Sequence, residues 1–292
     1  MITLTGEASA YGAVTIVNAI ATGRGAAFGI DLWTKARVDL TQDATIEGRI
    51  LGEENESTIL IGKCVRAVLD HFGKRGLGAR VETESNIPIA RGLKSSSVAA
   101  NAIVLATLGA LGRQLKPTQI LNLVVNASLE ANVSITGALD DAAASLYGNI
   151  VVTDNVRRKV LRRFPVEDYS VLLLAPRHRA YTTDVNLKRI KTVAKQVEFA
   201  HKEALAGNYW DAMTLNGLIY ANVLGLPTSV IIEGLEAGAL AGGISGKGPA
   251  YAFVVQDKSR NSVLDILRRS DGQVIESRTR RHPSLVGARK IR

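Results

Sequence analysis

Two periodicities share the chain, and each predicts its own elements. In Thr58–Phe72, Leu60, Ile61, Cys64, Val65, Val68, Leu69 and Phe72 recur at helical spacing, which predicts a helix ending near Gly73. Before it lie short β-prone runs such as Val14–Val17 and Ala36–Leu40, punctuated by Gly12, Gly23, Gly25 and Gly29. Ala79–Thr83 reads as another strand, and an Ala-rich helix runs to about Leu111. Pro117 suits the first turn of a helix over Pro117–Glu130.

The second half opens with Ile150–Thr153 and a basic strand, Arg157–Phe164, followed by the continuous apolar run Val171–Ala175 of a buried strand. Helical patterns occupy Asp184–Leu205, Tyr209–Leu224 and Ser229–Ala239. Gly242–Val255 reads as a Gly-rich turn and a strand, with a helix over Arg260–Arg269 and a last strand at Gln273–Arg278. Strands and helices are interleaved in both halves, so the class is α+β or α/β. No linker composition marks a join; a division at residue 150 gives domains 1–150 and 151–292.

Composition narrows the class of protein. With 46% hydrophobic and 22% charged residues, the chain has enough apolar material for folded cores. The single cysteine, Cys64, excludes an intrachain disulfide and a Cys-rich zinc site, and suits a reducing compartment. The longest apolar stretch, Val98–Gly112, is too short to span a bilayer, and the N-terminus has no signal-peptide pattern. A cytoplasmic protein without a membrane partner is expected. The net charge of +9 raises the question of nucleic acid. Yet six basic residues and no acid lie in the tail Ser277–Arg292, and five more basic residues lie within Arg157–Arg163. Neither run holds a Phe, Tyr or Trp for base stacking, so no nucleic-acid partner is expected.

The chemistry concentrates in Pro88-Ile-Ala-Arg91-Gly92-Leu93-Lys94-Ser95-Ser96-Ser97, leading into the Ala-rich helix. A helix N-terminus offers unpaired N–H groups and partial positive charge, and Lys94 adds a full charge, which together make an anion site. The spacing is neither a Walker A loop nor a dinucleotide Gly-x-Gly-x-x-Gly. The plain alternative is a serine-capped helix. Gly242-Gly-Ile-Ser-Gly246-Lys247-Gly248-Pro249 is a second glycine-rich segment, whose alternative is an ordinary turn. Asp140 and Asp141 are candidates for acid–base work, with capping of a helix over Ala142–Tyr147 as the alternative.

Pro-x-x-x-Gly-Leu-x-Ser-Ser resembles the ATP-binding motif of the GHMP kinases, and the Gly242–Gly248 loop resembles that family's third motif. The resemblance covers about residues 1–277 and implies a two-domain α+β fold: a ribosomal-protein-S5-like N-terminal domain and a ferredoxin-like α/β C-terminal domain. It implies ATP and Mg²⁺ as cofactors, with phosphates held by Pro88, Arg91, Gly92, Leu93, Lys94, Ser95, Ser96, Ser97, Gly246 and Gly248. It further implies Ser96 and Glu130 as metal ligands, and Asp140, in Gly137-Ala-Leu-Asp140, or its neighbour Asp141 as the catalytic aspartate. Most members have glycine where this chain has Lys94, and the usual Pro-Gly-Arg first motif is missing. Gly-Leu-Lys-Ser-Ser-Ser and the opening Gly12–Asp31 instead look like the archaeal-type shikimate kinase branch. The implied activity is ATP-dependent phosphorylation of shikimate, a step toward aromatic amino acids; another GHMP kinase, such as one acting on homoserine, is the alternative. Thr15, Asn18, Arg24, Lys35, Arg177 and Arg179 are candidates to hold the small-molecule substrate, a carboxylate preferring a bidentate arginine. The chain is expected to be a monomer or homodimer.

Overall fold

The computed structural model describes residues 4–89, 91–176 and 186–287 of the chain. Its architecture is α+β, built on two sheets. The first has seven strands. β1 (Thr5–Val17) and β2 (Arg24–Thr41) form a long antiparallel hairpin at its centre; β4 (Gly78–Ser85) pairs with β2, and β3 (Ile46–Ile50) runs parallel to β4. β5 (Ile150–Asp154) pairs with the start of β2, and β6 (Lys159–Phe164) with β5. The division expected at residue 150 therefore falls inside this sheet. The second sheet is four-stranded and antiparallel, in the order β10 (Gln273–Arg278), β7 (Ser170–Ala175), β9 (Tyr251–Val255), β8 (Ala241–Ile244).

Gly12, Gly25 and Gly29, expected to interrupt strands, lie within β1 and β2, and Gly242 and Gly243 lie within β8 rather than in a turn. The basic tail holds a further surprise. Leu285–Gly287 forms β11, which pairs antiparallel with β1, so the tail is not merely a solvated charge run. Arg280 bonds Asp31 at 2.8 Å, and its guanidinium carbon lies 3.2 Å from the Tyr11 ring centroid.

The helices follow the predicted periodicity. α1 (Ile59–His71), α2 (Ser95–Ala110), α3 (Pro117–Glu130) and α4 (Leu139–Tyr147) pack among themselves, with α2 and α4 against the central hairpin. α2 is buried nearly all round, from Val98 to Ala110, which is the pattern of a helix enclosed in a core. Each large aliphatic side chain such as Ile103 contributes about 1.5–3 kcal/mol by that burial. Asp184–Leu205, read as one helix, is two among the described residues, α5 (Leu187–Lys191) and α6 (Ala194–Ala206). α7 (Tyr209–Leu224) lies against β8 and reaches β1, linking the two sheets. α8 (Ser229–Glu236) and α9 (Arg260–Arg268) complete the second half. Among the described residues no helix is long and apolar enough to cross a membrane.

Candidate active site

A cavity of about 420 Å³ opens where α2 and α4 begin, a volume suited to a small ligand. α2 begins without a serine cap. Lys94 occupies the N-cap with left-handed backbone, φ 65°, so Ser95, Ser96 and Ser97 all stand in the first helical turn. Their position sets amide N–H groups and three hydroxyls at the positive end of a sixteen-residue helix. α4 starts in the same way, from Ala138 at φ 48°, and carries Asp140 and Asp141 within its first turn rather than at the cap. Carboxylates are favoured at that end of a helix.

The two helix starts meet through one ion pair. Lys94 Nζ donates to Asp141 Oδ2 at 2.6 Å, with side-chain exposures of 13% and 4%. Burial, together with the charge of Asp140, pushes the Asp141 carboxyl up to about 7 against the opposing pull of Lys94. Asp141 Oδ1 is buried with no hydrogen-bond partner among the described residues. Asp140, also buried, accepts from Asn155 Nδ2 at 2.8 Å instead.

The second glycine-rich segment closes over the first. Gly92 has φ +83°, and a Cβ there would come within 2.7 Å of the Gly248 carbonyl oxygen, so only glycine lets the two loops touch. Gly246 is held from β1 and the turn beyond it: its N–H donates to Thr15 Oγ1 at 2.9 Å, and Asn18 Nδ2 donates to its carbonyl at 2.5 Å. The Asn18 N–H in turn donates to Asn216 Oδ1 of α7 at 3.1 Å, and the Ala21 N–H donates to Tyr220 Oη at 3.2 Å.

The residues singled out by sequence divide accordingly. Gly92, Leu93, Lys94, Ser95, Ser96, Ser97, Asp140, Asp141, Gly246 and Asn18 line the cavity, and Lys247 joins them. Pro88, Arg91 and Gly248 are not on its wall; Gly248 acts by supporting Gly92. Thr15, expected against substrate, braces the Gly246 loop, and Asn18 shares that task. Arg24 bonds Glu198 at 2.5 Å and lines a separate hollow with Asp154 and Arg157. Lys35 lies over the Trp33 ring, 4.2 Å from its centroid. Arg177 and Arg179 lie outside the described residues. Glu130 is off the cavity: its side chain is 61% exposed at the end of α3, 3.3 Å from Lys63 Nζ. Ser96 thus lines the cavity and Glu130 does not. Asn155, Asn216 and Tyr220 carried no motif or spacing that sequence reasoning could use.

Comparison with known proteins agrees with this geometry. The family described as GHMP kinases N terminal domain matches residues 60–149, the span from α1 through α4. The chain is 48% identical over 255 residues to the shikimate kinase of Methanosarcina mazei, covering 87% of this chain and 86% of that protein. It is 43% identical over 279 residues to the shikimate kinase of Methanococcoides burtonii, covering 94% and 96%. In fold it is similar to homoserine kinase from Cytophaga hutchinsonii, with a TM-score of 0.77 over 98% of each chain at 18% identity. By descent across most of its length, and by the two glycine loops that close on one cavity, the chain belongs to the GHMP kinases, in the branch of the archaeal shikimate kinases.

Proposed function

We propose that this protein transfers the terminal phosphoryl group of ATP to a hydroxyl of shikimate. The observation that carries the mechanism is the Lys94–Asp141 pair, which puts a cation and a carboxylate together on the cavity wall at the starts of α2 and α4. Phosphoryl transfer asks a protein for positioning and charge neutralisation more than covalent help. The cavity wall combines apolar side chains, Leu60, Ile61 and Ile103 among them, suited to a purine, with the two aspartates. The first-turn amides of α2 would hold the phosphates, with Lys94 neutralising charge that develops on them.

Asp141 is the residue we assign to the reacting hydroxyl. One of its oxygens is held by Lys94 and the other is unpartnered among the described residues, and its elevated titration suits a group that takes a proton near neutral pH. Ser96 is the ligand we assign to magnesium, which would supply charge neutralisation on the phosphates; Glu130, held by Lys63, is not assigned. We place the activity in the cytoplasm, where ATP is available and a lone cysteine stays reduced.

The test is a coupled ADP-release assay with shikimate, homoserine and mevalonate side by side. Turnover with shikimate well above the other two is expected. Preference for homoserine or mevalonate would overturn the assignment of acceptor.

A further inference from the structure

Asp140 is the second carboxylate on the cavity wall, and the phosphoryl-transfer reading above, on which this inference rests, leaves it no part in taking the proton. Its surroundings are nonetheless built with care for one orientation. Asn155, just past the end of β5, donates from Nδ2 to Asp140 Oδ1 at 2.8 Å. Asn155 Oδ1 accepts from Thr153 Oγ1 at 2.7 Å, a hydroxyl that also lies 3.3 Å from the Gly25 carbonyl. Turned over, the amide would set a carbonyl oxygen against a carboxylate. The same Nδ2 lies 3.3 Å from Thr136 Oγ1, and the Asn155 N–H donates to the Gly23 carbonyl at 2.8 Å. On its other side the Asp140 carboxylate rests on the bare Cα of Gly25, where a Cβ would come within 2.6 Å of Oδ2.

Asp140 is 3% exposed, and among the described residues no lysine or arginine pairs with it, whereas Asp141 next to it has Lys94. A buried carboxylate held by one neutral amide is costly unless something else satisfies it. Consecutive helical positions diverge, yet both aspartates line this one cavity, so a ligand that meets Asp141 through one hydroxyl can present another to Asp140. A hydroxyl donating to an ionised carboxylate makes a strong, directional bond. A site built around such a bond rejects an analogue that lacks the hydroxyl.

We propose that Asn155 is a positioning residue that fixes Asp140 to receive a second hydroxyl of the acceptor, beside the one that is phosphorylated. The substrate class is accordingly a polyhydroxylated ring rather than a simple alcohol, and Asp140 is a specificity determinant while Asp141 serves the reacting group.

The experiment crosses protein and substrate changes. Wild type and Asn155→Ala are assayed by ADP release with shikimate, 4-deoxyshikimate and 5-deoxyshikimate, recording KM for acceptor and for ATP separately. With shikimate, Asn155→Ala should raise the acceptor KM about tenfold or more, with ATP KM and kcat within about threefold of wild type. On one of the two deoxy acceptors that penalty should vanish, because the hydroxyl read by Asp140 is gone. An equal penalty on all three acceptors, or a parallel rise in ATP KM, overturns the proposal. Should Asn155→Ala not fold, Thr153→Val releases the same amide and should show the same pattern, while Thr153→Ser, which keeps the hydroxyl, should not. A wild-type enzyme inert toward shikimate is a different failure, that of the activity itself, and is seen before any variant is made.

Discussion

Lys94 and Asp141, 47 residues apart in sequence, meet at 2.6 Å between the starts of two helices. Neither residue is a cap in the ordinary sense, since Lys94 adopts left-handed backbone and Asp141 stands inside its helix. Their contact ties the start of α2 to the aspartates of α4 on one cavity wall.

Replacing Asp141 by Asn should lower kcat by about 10²–10⁴-fold, the usual worth of a positioned proton acceptor. ATP affinity, followed by titration calorimetry, should change little. Asp140→Asn should keep most of kcat and lose acceptor affinity. The reverse ranking of the two variants would exchange their roles.

The pH profile offers a separate check on the pair. Burial pushes the Asp141 carboxyl up to about 7, so kcat/KM should rise with pH through that region. Lys94 favours the carboxylate, and removing it disfavours the charged form. Lys94→Met should therefore move the acid limb to higher pH, measured between about pH 5.5 and 9. A limb that stays in place or moves to lower pH would separate Lys94 from the titration.

Stability should carry the same signature. The folded value near 7 lies above the ordinary carboxylate value of about 3.9, so the unfolded chain ionises first as pH rises. The stability contribution of the protonated group is present below about pH 4 and is lost as pH climbs through 7. Chemical denaturation across that window should show a shallower decline for Asp141→Asn than for wild type.

Gly92→Ala meets two obstacles, a φ of +83° and the Gly248 carbonyl 2.7 Å from the new Cβ. The left-handed backbone alone costs about 1–2 kcal/mol, and the clash adds to it. Urea unfolding should show at least that loss, and the KM for ATP should rise as the two loops separate. Wild-type behaviour in both would mean that the loops do not need to touch.

For the metal, Ser96→Ala should raise the magnesium concentration needed for half-maximal rate, and Glu130→Gln should leave it unchanged. A magnesium titration of both variants distinguishes them. A shift for Glu130→Gln would show that Glu130 exchanges Lys63 for the ion during turnover.

Much of this was legible in the chain, for physical reasons that differ by element. α3 and α7 begin and end where the pattern says, because Pro117 opens one and Gly225 closes the other. The two glycine loops could be found because tight backbone approach demands glycine, and the demand leaves a mark in sequence. Gly25 leaves the same mark but was read as a strand break; its reason is the Asp140 carboxylate on top of it, 115 positions away in sequence. Glu130 shows the limit of such marks, since sequence distance from the phosphate loop does not say which way a side chain at a helix end faces, and here it pairs with Lys63. Asn155 was invisible, since a lone amide after a strand has no period and acts only through what folding sets beside it.

The pairing of β11 with β1 has a consequence for synthesis. β1 waits for Leu285–Gly287, which follows it far along the chain, to cover its edge. Until then a growing chain carries an uncovered strand edge of the kind that recruits other chains. A variant cut short before Leu285 would keep that edge of β1 open to other chains.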